Sequence, residues 1–231
     1  CRVLTLDRPL AAAALLPAAA LSEVHAFAPT LQATLLHLPQ LVCSDATPPK
    51  PYFPAWLRAP DAQRAAHPGK RLVGLFWDCV QRHFMEQGSR ERCWAAMRSL
   101  PVEDLERLVN AKELAGDVQF VSLHRPDAEL IAGTPRGNLA HYAPDLQTFA
   151  ATAACIETLD AVVSVDSGVA NLSAMIGKPT AVLLNPTGEW RWGGSGPRSP
   201  WMDSVTLIRQ SVMKEWRPVI DGAINWLALP R

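Results

Sequence analysis

The chain has 231 residues, 48% hydrophobic and 19% charged, with 22 basic side chains balancing 22 acidic ones. That composition can build one large α/β domain or two small ones, and the charge balance gives no reason to expect nucleic acid as a partner. Five scattered cysteines (Cys1, Cys43, Cys79, Cys93, Cys155), none in CxxC spacing, argue against a zinc site or a disulfide framework and for a reducing, cytoplasmic compartment.

Residues 2–7 read as an interior strand. The alanine-rich run 10–21 is interrupted by Pro17 and is too short to span a bilayer; without a basic n-region it is no signal peptide either. A short crossing helix is the better reading, with further strands over 22–28 and 33–38. Residues 44–69 are proline-rich (Pro48, Pro49, Pro51, Pro54, Pro60, Pro68) and resist both helix and sheet. They mark an inter-domain connection. The expected division is therefore a partial Rossmann-like unit over 1–60, a linker to about residue 70, and a second unit over 71–231.

The second unit alternates strand and helix. Residues 71–77 read as a strand, 102–115 as a helix with Glu103 and Asp104 in its first turn, and 118–123 as a strand. A helix over 146–159 follows, with Asp145 as its expected cap. Residues 161–165 form a short β-branched run, as in strands buried on both faces, and so do 181–184. Between them Ser167 is a good helix N-cap, while Gly177 and Pro179 end the helix. A strand over 205–210 and a helix over 214–227 close the chain. This alternation predicts an α/β fold, a doubly wound parallel sheet. Neither a GxGxxG nor a GxxxxGK[ST] motif is present, which speaks against a dinucleotide dehydrogenase and a P-loop nucleotidase.

The strand–Asp166–Ser167–Gly168–helix order places free helix amides at the carboxyl edge of the sheet, a place suited to phosphate. An ordinary structural βαβ unit would read almost alike. Four ordered pieces then resemble one family: residues 73–77; 98–101; 165–174 with Gly177-Lys178-Pro179; and 189–192 followed by 199–201 and Arg209-Gln210. Together they resemble the nucleotide-sugar-binding half of bacterial glycosyltransferases with two facing Rossmann-like domains (the GT-B architecture). The nearest type is the heptosyltransferase-like domain that often follows tetratricopeptide repeats. The likeness covers roughly residues 31–210, including His37-Leu38-Pro39-Gln40 before the linker.

That resemblance implies transfer of a sugar from a nucleotide diphosphate to an acceptor hydroxyl on a saccharide or protein, in a cleft between the domains. It implies no metal and no cofactor beyond the donor substrate, and admits upstream tetratricopeptide repeats. Three departures stand out. Trp77 is followed by Asp78-Cys79 rather than a Gly-Asn loop, and Asn171 stands where the family usually has histidine. The glycine-rich acidic loop that carries the family's proposed base is expected ahead of Cys1, so no base is assigned in this chain. A chain without it is expected to bind nucleotide weakly, transfer sugar negligibly and self-associate.

The candidate nucleotide-sugar-binding residues are Arg98, Ser99, Asp166, Ser167, Gly168, Asn171, Thr187, Gly188, Trp190 and Arg191. Each has a plainer alternative. Asp166 could order its turn or touch the sugar, and Ser167 and Gly168 could offer amides to a diphosphate or merely cap a helix. Asn171 faces the same way as Ser167 and could donate to phosphate, though it cannot titrate as a histidine would. Arg98 could pair with phosphate oxygens or stay solvated. Thr187 and Gly188 occupy a loop suited to a phosphate or a hinge. Trp190, Trp192 and Trp201 share a glycine-rich loop where an aromatic ring could stack on a base or sugar or plug the loop, and Arg191 could reach phosphate or a tryptophan face. Among the histidines only His124 falls at the ligand edge. A non-catalytic binding relative and a sugar-nucleotide epimerase remain alternatives.

Overall fold

Short apolar runs separated by amphipathic segments build a six-stranded sheet in a computed structural model of the chain. The structure describes residues 66–80, 85–124, 137–141, 146, 148–187 and 190–229, all within the unit that runs from Thr47 to Arg231. The readings made on residues 1–65, namely the partial first unit and the proline-rich connection, lie outside these.

The strands are β1 (Arg71–Phe76), β2 (Val118–Ser122), β3 (Leu139–His141), β4 (Ala161–Val165), β5 (Thr180–Leu184) and β6 (Val205–Arg209). The helices are α1 (Arg90–Arg98), α2 (Val102–Val109), α3 (Phe149–Glu157), α4 (Gly168–Ile176) and α5 (Arg217–Ala228). The strand order is β3-β2-β1-β4-β5-β6, and every pairing is parallel. This is a doubly wound, Rossmann-like sheet.

Alternation along the strands divides the core. Val73, Leu75, Val163, Val165 and Leu183 face one side, where Leu105 and Leu108 of α2 and Ile220, Ala223 and Leu227 of α5 cover them. Leu72, Val121 and Val162 face the other side, under Ile156 of α3 and Val169 of α4. Val182, Leu184 and Leu207 complete that second layer against Ala170, Ala174 and Trp192. All residues of β4 and β5 are buried, as expected of central parallel strands. Gly74 is small because β1 is crowded there. A Cβ on it would stand 2.6 Å from Leu159 Cδ1 and 2.7 Å from Leu123 Cδ1.

The sequence expectations hold for most elements and fail at identifiable places. The helix expected over 146–159 starts at Phe149, because Thr148 is extended and its Oγ1 accepts from the Ala151 amide at 3.1 Å. Thr148, not Asp145, is the cap. The helix expected to reach residue 115 stops at Val109; a separate 3-10 turn, Lys112–Leu114, then returns Leu114 to the core. The last helix begins at Arg217, since Lys214 has φ 70° and Pro218 suits a first turn that needs no amide donor. Helix α1 and strand β3 carry no periodic signal: α1 has four charged residues in nine with only Ala95 buried, and β3 has three residues.

Candidate functional site

Strands β1 and β4 are neighbours, yet the chain leaves them in opposite directions, to β2 on one side and β5 on the other. The connections diverge above their carboxyl ends and open a crevice there, the place where open α/β sheets take ligands. Its walls are the turn leaving β1, the end of α1, and the Asp166–Gly168 turn leaving β4.

The β4 turn is ordered from within. Ser167 Oγ accepts from the Ala170 amide at 3.1 Å and lies 2.9 Å from Ser164 Oγ. Asn171 Nδ2 donates back to the Ser167 carbonyl at 2.9 Å, and the Asn171 amide does so at 3.3 Å. Among the described residues the amides of Gly168 and Val169 have no acceptor. They remain the open donors of the α4 N-terminus, where the helix dipole favours negative charge. At the other end Gly177, with φ 88°, donates to the Ala174 carbonyl and stops the helix.

Asp166 turns away from solvent and is 4% exposed. Trp192 Nε1 donates to its Oδ1 at 2.8 Å, while Arg98 Nη1 stands 3.7 Å from its Oδ2 and donates to its carbonyl oxygen at 3.2 Å. The same carbonyl accepts from Cys79 Sγ at 3.4 Å. Arg209 Nη2 in turn donates to the carbonyls of Trp192 and Gly193, at 2.7 and 2.8 Å. A continuous set of contacts therefore joins α1, the β4 turn, the 3-10 turn Trp190–Trp192 and the end of β6. Burial pushes the Cys79 thiol up to about 12; nearby Arg98 opposes the shift, and Asp166 and Asp78 add to it. That sulfur stays protonated at neutral pH, a weak nucleophile packed as structure.

Ser99 closes the β1 side. Its hydroxyl accepts from the Cys79 amide at 2.8 Å and lies 3.0 Å from Asp78 Oδ1, which also accepts from the Val80 amide at 2.8 Å. His124 Nε2 accepts from the amides of Trp77 and Asp78, at 3.0 and 3.4 Å, and its ring stacks on Phe76. An accepting Nε2 leaves the ring proton on Nδ1. His124 thus shapes the turn that leaves β1.

Of the residues named from sequence, Arg98, Ser99, Asp166, Ser167, Gly168 and Asn171 gather at the ends of β1 and β4. Thr187 lies exposed beyond β5, its hydroxyl donating to Asn185 Oδ1 at 3.2 Å. Arg191 is half-buried within the 3-10 turn that Trp190 opens. Gly188 and the Trp190 side chain lie outside what the structure describes. Sequence reasoning did not single out Asp78 or Cys79 as site residues, and it took Trp192 only as one of three loop tryptophans able to stack, not as the partner of Asp166. Their only signal was position, just past a central strand or in a tryptophan-rich loop.

A separate groove of about 650 Å³ lies between α2 and α5, lined by Glu103, Glu106, Asp221 and Asn225 and bridged by an Arg107–Asp221 ion pair at 2.6 Å. None of the crevice residues named above lines it. Among the described residues no cluster of three His, Cys, Asp or Glu side chains could hold a metal ion, and no helix is long and apolar enough to cross a membrane.

No family model and no curated protein matches the chain. Among solved structures it is similar to a glycosyl transferase of family 9 from Veillonella parvula, at 14% identity and TM-score 0.46, over 71% of this chain and 49% of that one. It is also similar to the ADP-heptose LPS heptosyltransferase II of E. coli, at 12% identity and TM-score 0.46, over 78% of this chain and 55% of that one. The chain spans about half the length of these two proteins.

Proposed function

We propose that the crevice binds a nucleotide-diphosphate sugar and that the chain belongs to a glycosyltransferase of the heptosyltransferase-like kind, passing the sugar to an acceptor hydroxyl. The observation that carries the reading is the pair of amides, Gly168 and Val169, that have no acceptor among the described residues, at the α4 N-terminus over the β1/β4 switch point. Those donors fit the oxygens of a diphosphate. A departing nucleoside diphosphate gains negative charge as the glycosidic bond breaks. Fixed amides, a helix dipole and the neighbouring Arg98 guanidinium stabilise that charge without reorganising. The ordered motifs from Arg71 to Gln210 support the same reading.

Asp166 is not the base in this proposal. It is buried, and Trp192 and Arg98 already engage its carboxylate, so its part is to hold the turn in shape. No described side chain is assigned as the base that takes the acceptor's proton. The engaged carboxylate also favours a second reading, a binding module that holds nucleotide sugar without turnover.

Calorimetric titration of the 231-residue chain with ADP-, GDP- and UDP-sugars tests the binding. One of them should bind, and Gly168→Val should weaken it at least about tenfold, or 1.4 kcal/mol, by covering the amides. Nucleoside diphosphate release that depends on added acceptor supports the transferase. Binding without release supports the module, and no binding to any of them refutes both.

A further inference from the structure

Phe149 is 69% exposed, yet it does not belong to the solvent face of its helix. It is the first residue of α3, and Thr152, Ala153 and Ile156, three, four and seven positions on, form the buried stripe of that helix. The phenyl ring continues this stripe past the carboxyl edge, where the sheet no longer covers it. There it meets the phosphate turn: a Cβ on Gly168 would lie 3.5 Å from both Cε1 and Cζ of Phe149. The rest of the α3 N-terminal turn is alanine, Ala150 and Ala151. Of the large hydrophobic side chains exposed among the described residues (Val102, Phe149, Met175, Val212 and Leu229), Phe149 is the aromatic one, and it stands beside the first turn of α4.

We infer that Phe149 is the stacking platform for the nucleobase of a nucleoside diphosphate whose phosphates sit on the Gly168 and Val169 amides. This rests on the nucleotide reading given above. A phenyl ring has no polar handle with which to satisfy sugar hydroxyls, but it offers a flat face that any base can cover. Only a side chain added at position 168 would reach the ring at van der Waals distance, so the ring borders the turn and a group stacked on it lies near a phosphate bound there. Stacking of this kind is tolerant of base identity. It sets affinity for nucleotides over bare phosphates rather than choosing among bases.

The test is a calorimetric comparison of ADP, UDP and inorganic pyrophosphate on the full chain and on Phe149→Ala, Phe149→Leu and Phe149→Trp. Phe149→Ala should weaken both nucleotides by about 5- to 100-fold and leave pyrophosphate within twofold of the original chain. Phe149→Leu, which keeps apolar bulk without an aromatic face, should lose most of the nucleotide preference, and Phe149→Trp should restore it. Equal losses for pyrophosphate and nucleotides would overturn the inference, because the ring would then merely shape the turn. Unchanged nucleotide affinity in Phe149→Ala, with the original chain binding all three ligands, overturns the stacking alone. If the original chain binds none of them, the nucleotide reading falls and the stacking with it. Melting curves establish that each variant is folded.

Discussion

Removing the indole N–H of Trp192 tests the contact network at the crevice. Trp192 is 1% exposed, packs with Val182, Leu184, Val205 and Leu207, and donates to the buried Asp166 carboxylate at 2.8 Å. A hydrogen bond to a charged group contributes about 1.5–3 kcal/mol. Trp192→Phe deletes it and also leaves space around the smaller ring, adding about 1 kcal/mol by comparison with other single-step core truncations. The expected loss is therefore about 2.5–4 kcal/mol in urea denaturation followed by circular dichroism. A double-mutant cycle with Asp166→Ala separates the two parts, since only the hydrogen bond couples the residues. The coupling should be about 1.5–3 kcal/mol. Additivity of the two single losses to within about 0.5 kcal/mol would refute the claim that the indole holds the carboxylate.

Other outcomes follow from single contacts. Arg98→Ala should lower stability by about 1–3 kcal/mol, because Asp166 loses its guanidinium partner; unchanged melting with lost diphosphate affinity would show that Arg98 serves the ligand only. Gly74→Ala should destabilise by about 1–3 kcal/mol through overpacking against Leu159 and Leu123, and a loss below about 0.5 kcal/mol would mean that β1 shifts freely. Because burial raises the Cys79 pKa from 9.0 to about 12, folding favours the protonated thiol. That contribution is complete below pH 9 and is lost as pH rises from 9 towards 12. The stability difference between the original chain and Cys79→Ala should therefore shift against the original chain between about pH 9 and 11; a constant difference in denaturation midpoints would contradict the shift.

The parallel sheet was legible because its determinants are local. The β-branched runs at β4 and β5, the Ser167 cap and the Gly177 stop each state their role within a few residues. The site's position followed, since a strand ending at Asp166 before a capped helix has few places to go in a doubly wound sheet. Thr148 and Asp145 are both competent caps, and only the match of Thr152, Ala153 and Ile156 to the sheet selects the former. The direction of the Asp166 carboxylate was not legible. Its partner, Trp192, is 26 residues away along the chain, and no spacing rule links a strand end to an indole in a later loop. Asn171 was read as a possible ligand contact because it faces with Ser167. The structure shows its amide donating to the Ser167 carbonyl one turn back, a local bond that competes with any outward role. Helix α1 was missed for the opposite reason: with only Ala95 buried, it is placed by its ends rather than by an apolar stripe. The Ser89 cap holds one end, and the bond from the Leu100 amide to the Trp77 carbonyl ties down the segment after the other.

The central claim is that the Gly168 and Val169 amides receive the diphosphate of a nucleotide. It is tested most directly by following the backbone amides of the isotopically labelled chain by NMR while ADP or UDP is added. The account predicts that the largest saturable shifts fall on Gly168 and Val169, with smaller ones at Phe149 and Arg98. Unmoved Gly168 and Val169 resonances under saturating nucleotide, or shifts confined to the groove between α2 and α5 around Arg107 and Asp221, would contradict it.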